Sequence, residues 1–362
     1  MKAAYALSTI LLFVSCAICP AQDALSGTKQ MPSSPKNHIT GNSVRETPPV
    51  EAASETSTNV ISLIEENDIY FSDRYYTNGI RISYTTDGDD FYSSRLQFAF
   101  LRLFGMEGRQ AYQSIGIGQM MYVNSDINNP NPPAWDRPYA GWLYIGAGAH
   151  LASQDRLDSF TVNLGVVGPI SLAEDAQKFI HSLTGSDWPM GWHEQIKNEP
   201  GIIISYKHTE RFARAQLTDS FSADFLGSAG ADLGNVMTQA TVRAYARWGF
   251  NMPYSFEPAR IDYAGGNDVQ WRPDGNQPNW HCFMYAGGAA RFVGYDITLD
   301  GNTFAHSRSV TPKWLVGEIM AGISSRYEFI QADLNWTLRS AEFNNQEFPV
   351  HMFWSLAVKV FF

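Results

Sequence analysis

The last twelve residues, HMFWSLAVKVFF, constrain this chain more than any other stretch. Trp354, Leu356, Val358, Val360 and the terminal Phe362 recur at every second position. A period of two belongs to a β-strand with one apolar face, because successive side chains leave opposite sides of the backbone. In an exported protein, a strand that ends the chain on an aromatic residue predicts the closing strand of a membrane-spanning β-barrel. Its apolar side chains then face lipid and its polar ones face the lumen.

Export is read from the other end. Lys2 supplies a short positive region, and Ile10 to Cys19 form an apolar core. That core is too short for a spanning helix, which needs about 20 residues. Residues 1–21 therefore read as a secretory signal cleaved after Ala21. Cys16 and Cys19 fall inside it, which leaves Cys282 as the one cysteine expected in the mature chain and excludes an intrachain disulfide there. Residues 22–58 are rich in Ser, Thr, Pro, Asn and Glu without periodicity, and are expected to be a disordered periplasmic lead-in. Residues 59–362 are expected to form the barrel.

Composition agrees with that division. Aromatics make up 14% of the chain and there are 29 glycines. Mean hydropathy is −0.23, as expected when half of the strand residues face water. The formal net charge of −10 argues against nucleic acid as a partner, since phosphate binding needs a basic surface.

Alternation sets in near residue 59. It is clearest where Ile330, Ala332, Leu334, Trp336 and Leu338 interleave with Gln331, Asp333, Asn335, Thr337 and Arg339. The predicted strands are 59–66, 76–87, 111–123, 140–152, 158–168, 200–210, 214–228, 236–249, 280–295, 313–326, 330–339 and 351–362. They number twelve, an even count as single-chain bacterial barrels have, and the last is expected to pair with the first. Tyr and Trp near segment ends, at 139–144 and 271–285, are expected to form interfacial girdles. The fold class is thus all-β: a twelve-stranded antiparallel transmembrane β-barrel with a short helix in one outer loop.

Two segments break the alternation. Residues 93–105 read as a short amphipathic helix or an extra strand. Residues 171–185 read as a helix, with Ser171 and Glu174 as a capping box and Gly185 as its stop. Leu172, Ala176, Phe179 and Leu183 fall on one face of it. Such a helix has no part in spanning a membrane. It is a plug, a rim element or part of a site.

Three groups of residues bear on chemistry. In EENDIYFSDRYYTNGIRISY (65–84), Asn67 and Asp68 end one strand, Thr77 begins the next, and Asp73-Arg74 lies between. These oxygens suit Ca²⁺. They equally suit a polar hairpin with an Asx-type turn and an Asp-Arg rim pair. His181 lies toward the helix C-terminus, with Asp187 just past Gly185. The helix end raises a histidine's pKa and an apolar pocket lowers it, so His181 titrates near neutrality and is either a general base or a solvated surface group. DRPYAGWLY (136–144) reads as a functional turn or a rim salt bridge. His193-Glu194 lacks the second histidine of a zinc helix. There is no G-x-S-x-G elbow for a serine hydrolase.

These strings resemble those of one family. E-N-D-I-Y (66–70), D-R-Y-Y-T-N-G (73–79), D-R-P-Y-A-G-W (136–142), V-V-G-P (166–169), the helix with His181, W-H-E-Q-I (192–196) and the terminal strand are similar to those of the lipid A 3′-O-deacylases of Gram-negative outer membranes. The resemblance covers roughly residues 60–362. It implies a site at the outer rim, between the barrel wall and a loop helix. It also implies a Ca²⁺-dependent esterase that releases the 3′-linked acyloxyacyl group from lipid A. Asn67, Thr77 and His181 match the family's catalytic positions, with His181 as the base; Asp68 and Asp187 match the metal positions. Asp187 stands where the relative carries a glutamate, and residues 124–135 lack the lysine that the family places before the D-R string. The implied partners are lipopolysaccharide as substrate and outer-membrane lipids around an integral monomer. The competing readings are a catalytically silent structural or transport barrel whose helix plugs the lumen, and an outer-membrane phospholipase.

Overall fold

The computed structural model describes residues 59–68, 73–87, 95–105, 109–272 and 278–362. The signal and lead-in expected over 1–58 lie outside the described residues. Eight strands come first: β1 (Val60–Asp68), β2 (Tyr75–Asp87), β3 (Gln110–Val123), β4 (Ala140–Ala152), β5 (Arg156–Val167), β6 (Glu199–Gln216), β7 (Phe221–Gly234) and β8 (Met237–Phe250). A two-residue ribbon pair, β9 (Tyr254–Ser255) and β10 (Gln270–Trp271), follows. Then come β11 (Trp280–Asp296), β12 (Leu315–Tyr327), β13 (Ile330–Ser340) and β14 (Val350–Phe361). All but β9 and β10 join in one closed ring of twelve neighbouring antiparallel strands. β14 returns to β1 in the register Val60↔Phe361 to Asp68↔Phe353, so no strand edge is left unpaired in the ring. No described helix is long and apolar enough to cross a membrane.

Burial follows the predicted alternation, inverted relative to a water-soluble protein. On β13 the polar Gln331, Asp333, Asn335, Thr337 and Arg339 are buried, and Ile330 and Trp336 are exposed. The polar face forms the lumen, and the apolar face is the lipid belt. Asn59 and Phe362 lie at one rim; the opposite rim carries residues 73–74, 124–139, 168–198, 297–314 and 341–349 and is the outer one by the rule for such barrels.

A re-entrant segment, residues 251–272, fills the lumen, and no periodicity announced it. Its backbone is held by inward side chains of the wall. Arg81 Nη1 donates to the Asp262 carbonyl (3.2 Å), Asn163 Nδ2 to Tyr263 (2.9 Å), Thr161 Oγ1 to Ala264 (2.8 Å) and Lys207 Nζ to Gly265 (3.0 Å). The Ile261 N–H donates to Glu66 Oε1 at 2.9 Å. Buried chain without its own ladder must find such partners, which is why the wall carries so many inward polar groups. Charges pair as well: Asp262 with Arg243 (3.2 Å) and Lys207 (3.4 Å), and Asp268 with Lys359 (3.3 Å). A cavity of about 70 Å³ remains beside this segment.

Glu318 is one of the buried carboxylates of the lumen. It accepts from Arg260 Nη1 at 2.7 Å and Arg339 Nε at 2.8 Å, and is 4% exposed. Glu318→Ala leaves two buried guanidinium groups short of their counter-charge. The expected cost is about 3–5 kcal/mol, measured as a lower urea midpoint for the folded band in heat-modifiable electrophoresis.

Several expectations are corrected. The strands read as 200–210 and 214–228 are β6 and β7, which turn at 217–220 instead; the apparent break at residues 211–213 is a β-bulge that slips the period by one residue. Of the two readings of residues 93–105 the helix holds and the extra strand does not: α1 spans Arg95–Leu101, and its Phe98 and Leu101 pack on the outer wall. Trp142 and Tyr144, expected in a girdle, are 1% and 3% exposed and stack on each other inside the barrel. Exposed Trp280 and Trp314, by contrast, lie near opposite rims, as girdle residues do. The loop helix does not plug the lumen.

Candidate active site

The loop helix, α2 (Ala173–Thr184), lies on the outside of the wall at the outer rim. Ala173 and the following Trp192 pack against Met121 and Val123, outward residues of β3. Gln119 Nε2 donates to the Ser171 carbonyl at 2.6 Å. Gly141 of β4 permits this closeness, because a Cβ there would collide with Ser171 and Ala173. The predicted capping box is absent. Ser171 closes a 3₁₀ turn (Pro169–Ser171), and Leu172 takes the cap position at φ 59° without a side-chain cap. Glu174 instead pairs with Lys178 at 2.5 Å. Gly185 does stop the helix, at φ 73°, with its N–H donating to the His181 carbonyl.

Lying flat on the wall turns His181 inward, where its side chain is 7% exposed. Its Nδ1 is 2.5 Å from the Asp187 carbonyl oxygen, and its Nε2 is 3.4 Å from Asp73 Oδ2. A carbonyl can accept but not donate, so Nδ1 carries a proton in either charge state, and Nε2, aimed at the β1–β2 hairpin beside the Asp73 carboxylate, is the atom that gains or loses the second one. Thr77 Oγ1 donates to Asp73 Oδ1 at 2.8 Å. Thr77 is the bulge residue of β2 and is 2% exposed. Asp73 and Tyr75 sit at φ 38° and 61°, a left-handed backbone that non-glycine residues seldom adopt. Trp192 Nε1 fixes Gln177 through its Oε1 at 2.7 Å, one helical turn before His181.

The structure thus joins His181 and Thr77 through Asp73, a residue that the sequence offered only as a rim partner of Arg74. Arg74 makes a different pair of contacts: its guanidinium covers the Phe348 ring at 3.7 Å, and its backbone N–H donates to Asp68 Oδ2 at 3.0 Å. Asn67 continues the outward series of β1, while Asp68 continues the buried series of Ile64 and Glu66. Asp187 serves His181 through its backbone; its carboxylate, exposed, accepts from Asn128 Nδ2 at 3.1 Å. Among the described residues no three His, Cys, Asp or Glu side chains form a ready metal cage. The donors of the hairpin, on Asn67, Asp68, Asp73 and Thr77, are nonetheless oxygen atoms, and that chemistry fits Ca²⁺. Arg137, from the third string, is a structural clamp: buried, it donates to Glu342 Oε2 and Thr298 Oγ1, both at 2.7 Å. His193 is exposed beside Glu194, and among the described residues no third metal-binding side chain joins them.

Burial disfavours the charged form of His181. The Asp73 carboxylate and the Asp187 carbonyl outweigh that, and the His181 pKa is raised. Burial likewise pushes Asp73 up, but the bonds from His181 and Thr77 prevail and hold its pKa below the ordinary value. The pair is therefore complete between the two folded pKa values. Its contribution to stability is lost as pH falls through that of Asp73 or rises through that of His181. Asp73→Asn removes the main stabiliser of the imidazolium. It is expected to lower the His181 pKa, measured by the pH dependence of its ring signals in NMR with EGTA present; an unchanged or higher value contradicts the pairing.

Comparison with known proteins agrees with this architecture. No curated protein matches the sequence. Among solved structures, LpxR from Salmonella typhimurium is similar over 84% of this chain and 100% of its own, with 18% identity and a TM-score of 0.68. The β domain of the Bordetella autotransporter BrkA covers a like share, 84% and 98%, at 11% identity but with a TM-score of 0.37. The family model described as outer membrane protein LpxR matches residues 39–362. The chain belongs to that family, and is an integral outer-membrane barrel.

Proposed function

We propose that this protein is an outer-membrane lipid A deacylase, a Ca²⁺-dependent esterase that releases the 3′-linked acyloxyacyl group. The observation that carries the reading is the direction of His181. It is presented to the β1–β2 hairpin from outside the wall, where an outer-leaflet lipid has access without entering the filled lumen.

In this reading His181 Nε2 takes a proton from a water molecule as its oxygen attacks the ester carbonyl. Nδ1, held by the Asp187 carbonyl, fixes the ring, and Asp73 stabilises the imidazolium that forms. The same proton is then returned to the departing sugar oxygen, leaving a free carboxylic acid and a hydroxyl on lipid A. Thr77 keeps Asp73 in place. Asn67, on the outer face of β1, would orient the substrate ester. Asp68 would hold Ca²⁺ with further oxygens of the hairpin. When bound, Ca²⁺ supplies stabilisation of the negative charge developing on the ester oxygen.

The purified barrel is to be incubated with lipid A and glycerophospholipids together, and the released acids identified. Acids from lipid A alone are expected. Release from glycerophospholipids alone favours the phospholipase reading, and release from neither favours a silent barrel.

A further inference from the structure

Helix α2 has an apolar stripe, but that stripe does not face the protein. Ala173, Gln177 and His181 lie against the wall. Leu172, Phe179, Ile180 and Leu183 are exposed, Phe179 and Leu183 at 62% and 68%. Glu174, Asp175, Lys178 and Ser182 occupy the remaining side. At roughly 100° per residue these groups take separate thirds of the helix: one on the wall, one apolar flank and one polar flank. Ile170 before the helix, and Trp188 and Met190 after it, enlarge the exposed apolar surface.

Helices with separate apolar and charged sides lie in the plane of a membrane interface. The occupant of the flank follows from what it adjoins. The strands beneath α2 expose Ile115 and Ile117 of β3, Ile145 of β4 and Leu164 of β5 to lipid. The next outward residue of β3 after Ile117 is Gln119, which bonds the turn at the start of the helix. The lipid belt of the barrel thus runs to the edge of α2 and continues onto its apolar flank.

We propose that the apolar flank of α2 is inserted among the acyl chains of the surrounding lipid leaflet, with Glu174, Asp175 and Lys178 turned to the headgroup and solvent side. This contact sets the depth of His181 at the boundary between headgroups and chains. It goes beyond the proposed reaction and stands whether or not the chain hydrolyses anything.

The test uses the whole barrel refolded into palmitoyl-oleoyl phosphatidylcholine vesicles, in a Cys282→Ser background. A bimane label is placed at Leu183→Cys or Phe179→Cys on the apolar flank, and at Ser182→Cys on the polar one. Lipid bearing a doxyl group high on its acyl chain is expected to quench both apolar-flank labels about threefold or more above the Ser182 label, and aqueous iodide to show the opposite order. Equal quenching of the two flanks by doxyl lipid, with iodide reaching both, overturns the proposal. So does shielding of the apolar-flank labels from both quenchers together with a cross-linked dimer, which would make a second copy the occupant.

Discussion

His181→Ala is expected to lower lipid A deacylation by about 10²–10⁴-fold, the usual cost of losing a general base. The barrel should survive the change. His181 stands on a loop helix outside the wall, and its partners are a backbone carbonyl and the hairpin carboxylate of Asp73. Heat-modifiable mobility should therefore match the parent. His181→Gln is a useful companion, because it retains a polar side chain near Asp73 but cannot act as a base; it should be as inactive as the alanine variant. Parent-like turnover in either purified variant would eliminate His181 as the base.

The second large effect is expected at Asp68. EGTA should silence the activity and added Ca²⁺ should restore it. Asp68→Ala should behave as the chelated protein even in excess Ca²⁺, with a loss of about 10²–10³-fold, the usual scale for removing stabilisation of a developing oxyanion. Asp68→Asn keeps an oxygen ligand without its charge and should recover partial activity at high Ca²⁺. Zn²⁺ should not substitute, because the hairpin offers neither sulfur nor imidazole donors among its described residues. Full activity in EGTA, or a normal Asp68→Ala protein, would remove Ca²⁺ from the mechanism.

The barrel was legible because a lipid-facing strand must alternate. Residues 330–339 announce their two faces, and the register of β13 with β14 follows from them. Legibility failed where the backbone departs from period two. The bulge between Arg211 and Ala213 drew the expected turn between β6 and β7 to residues 211–213, ahead of its actual place at 217–220. Residues 251–272 carry no period, because their partners are wall side chains remote in sequence: the bond from Arg81 to the Asp262 carbonyl spans 181 residues. The stripe on α2 was read correctly as a stripe, but its direction depends on Gly141 and Met121, which bring the side bearing Ala173, Gln177 and His181 to the wall.

The site was legible in the same uneven way. A helix carrying His181 near its end, and a hairpin of oxygen side chains, were both visible. What joins them was hidden by a plausible local pairing. Asp73 and Arg74 are adjacent and opposite in charge, yet the structure sends the carboxylate to His181 and Thr77 and the guanidinium to Phe348. Trp192 was signalled by its string, W-H-E-Q-I, whereas its bond to Gln177, four residues before His181, shows only in the structure. Asp187 was signalled by proximity in chain, but that proximity places its carbonyl, not its carboxylate, at the imidazole.

The most direct measurement is the mass spectrum of lipid A from cells that express this chain, compared with cells that express His181→Ala at the same level. The parent is expected to convert lipid A to a species lighter by one 3′-linked acyloxyacyl group, with both phosphates retained, and the variant to leave the mass unchanged. An unchanged mass in cells whose outer membrane holds the folded parent would contradict that expectation.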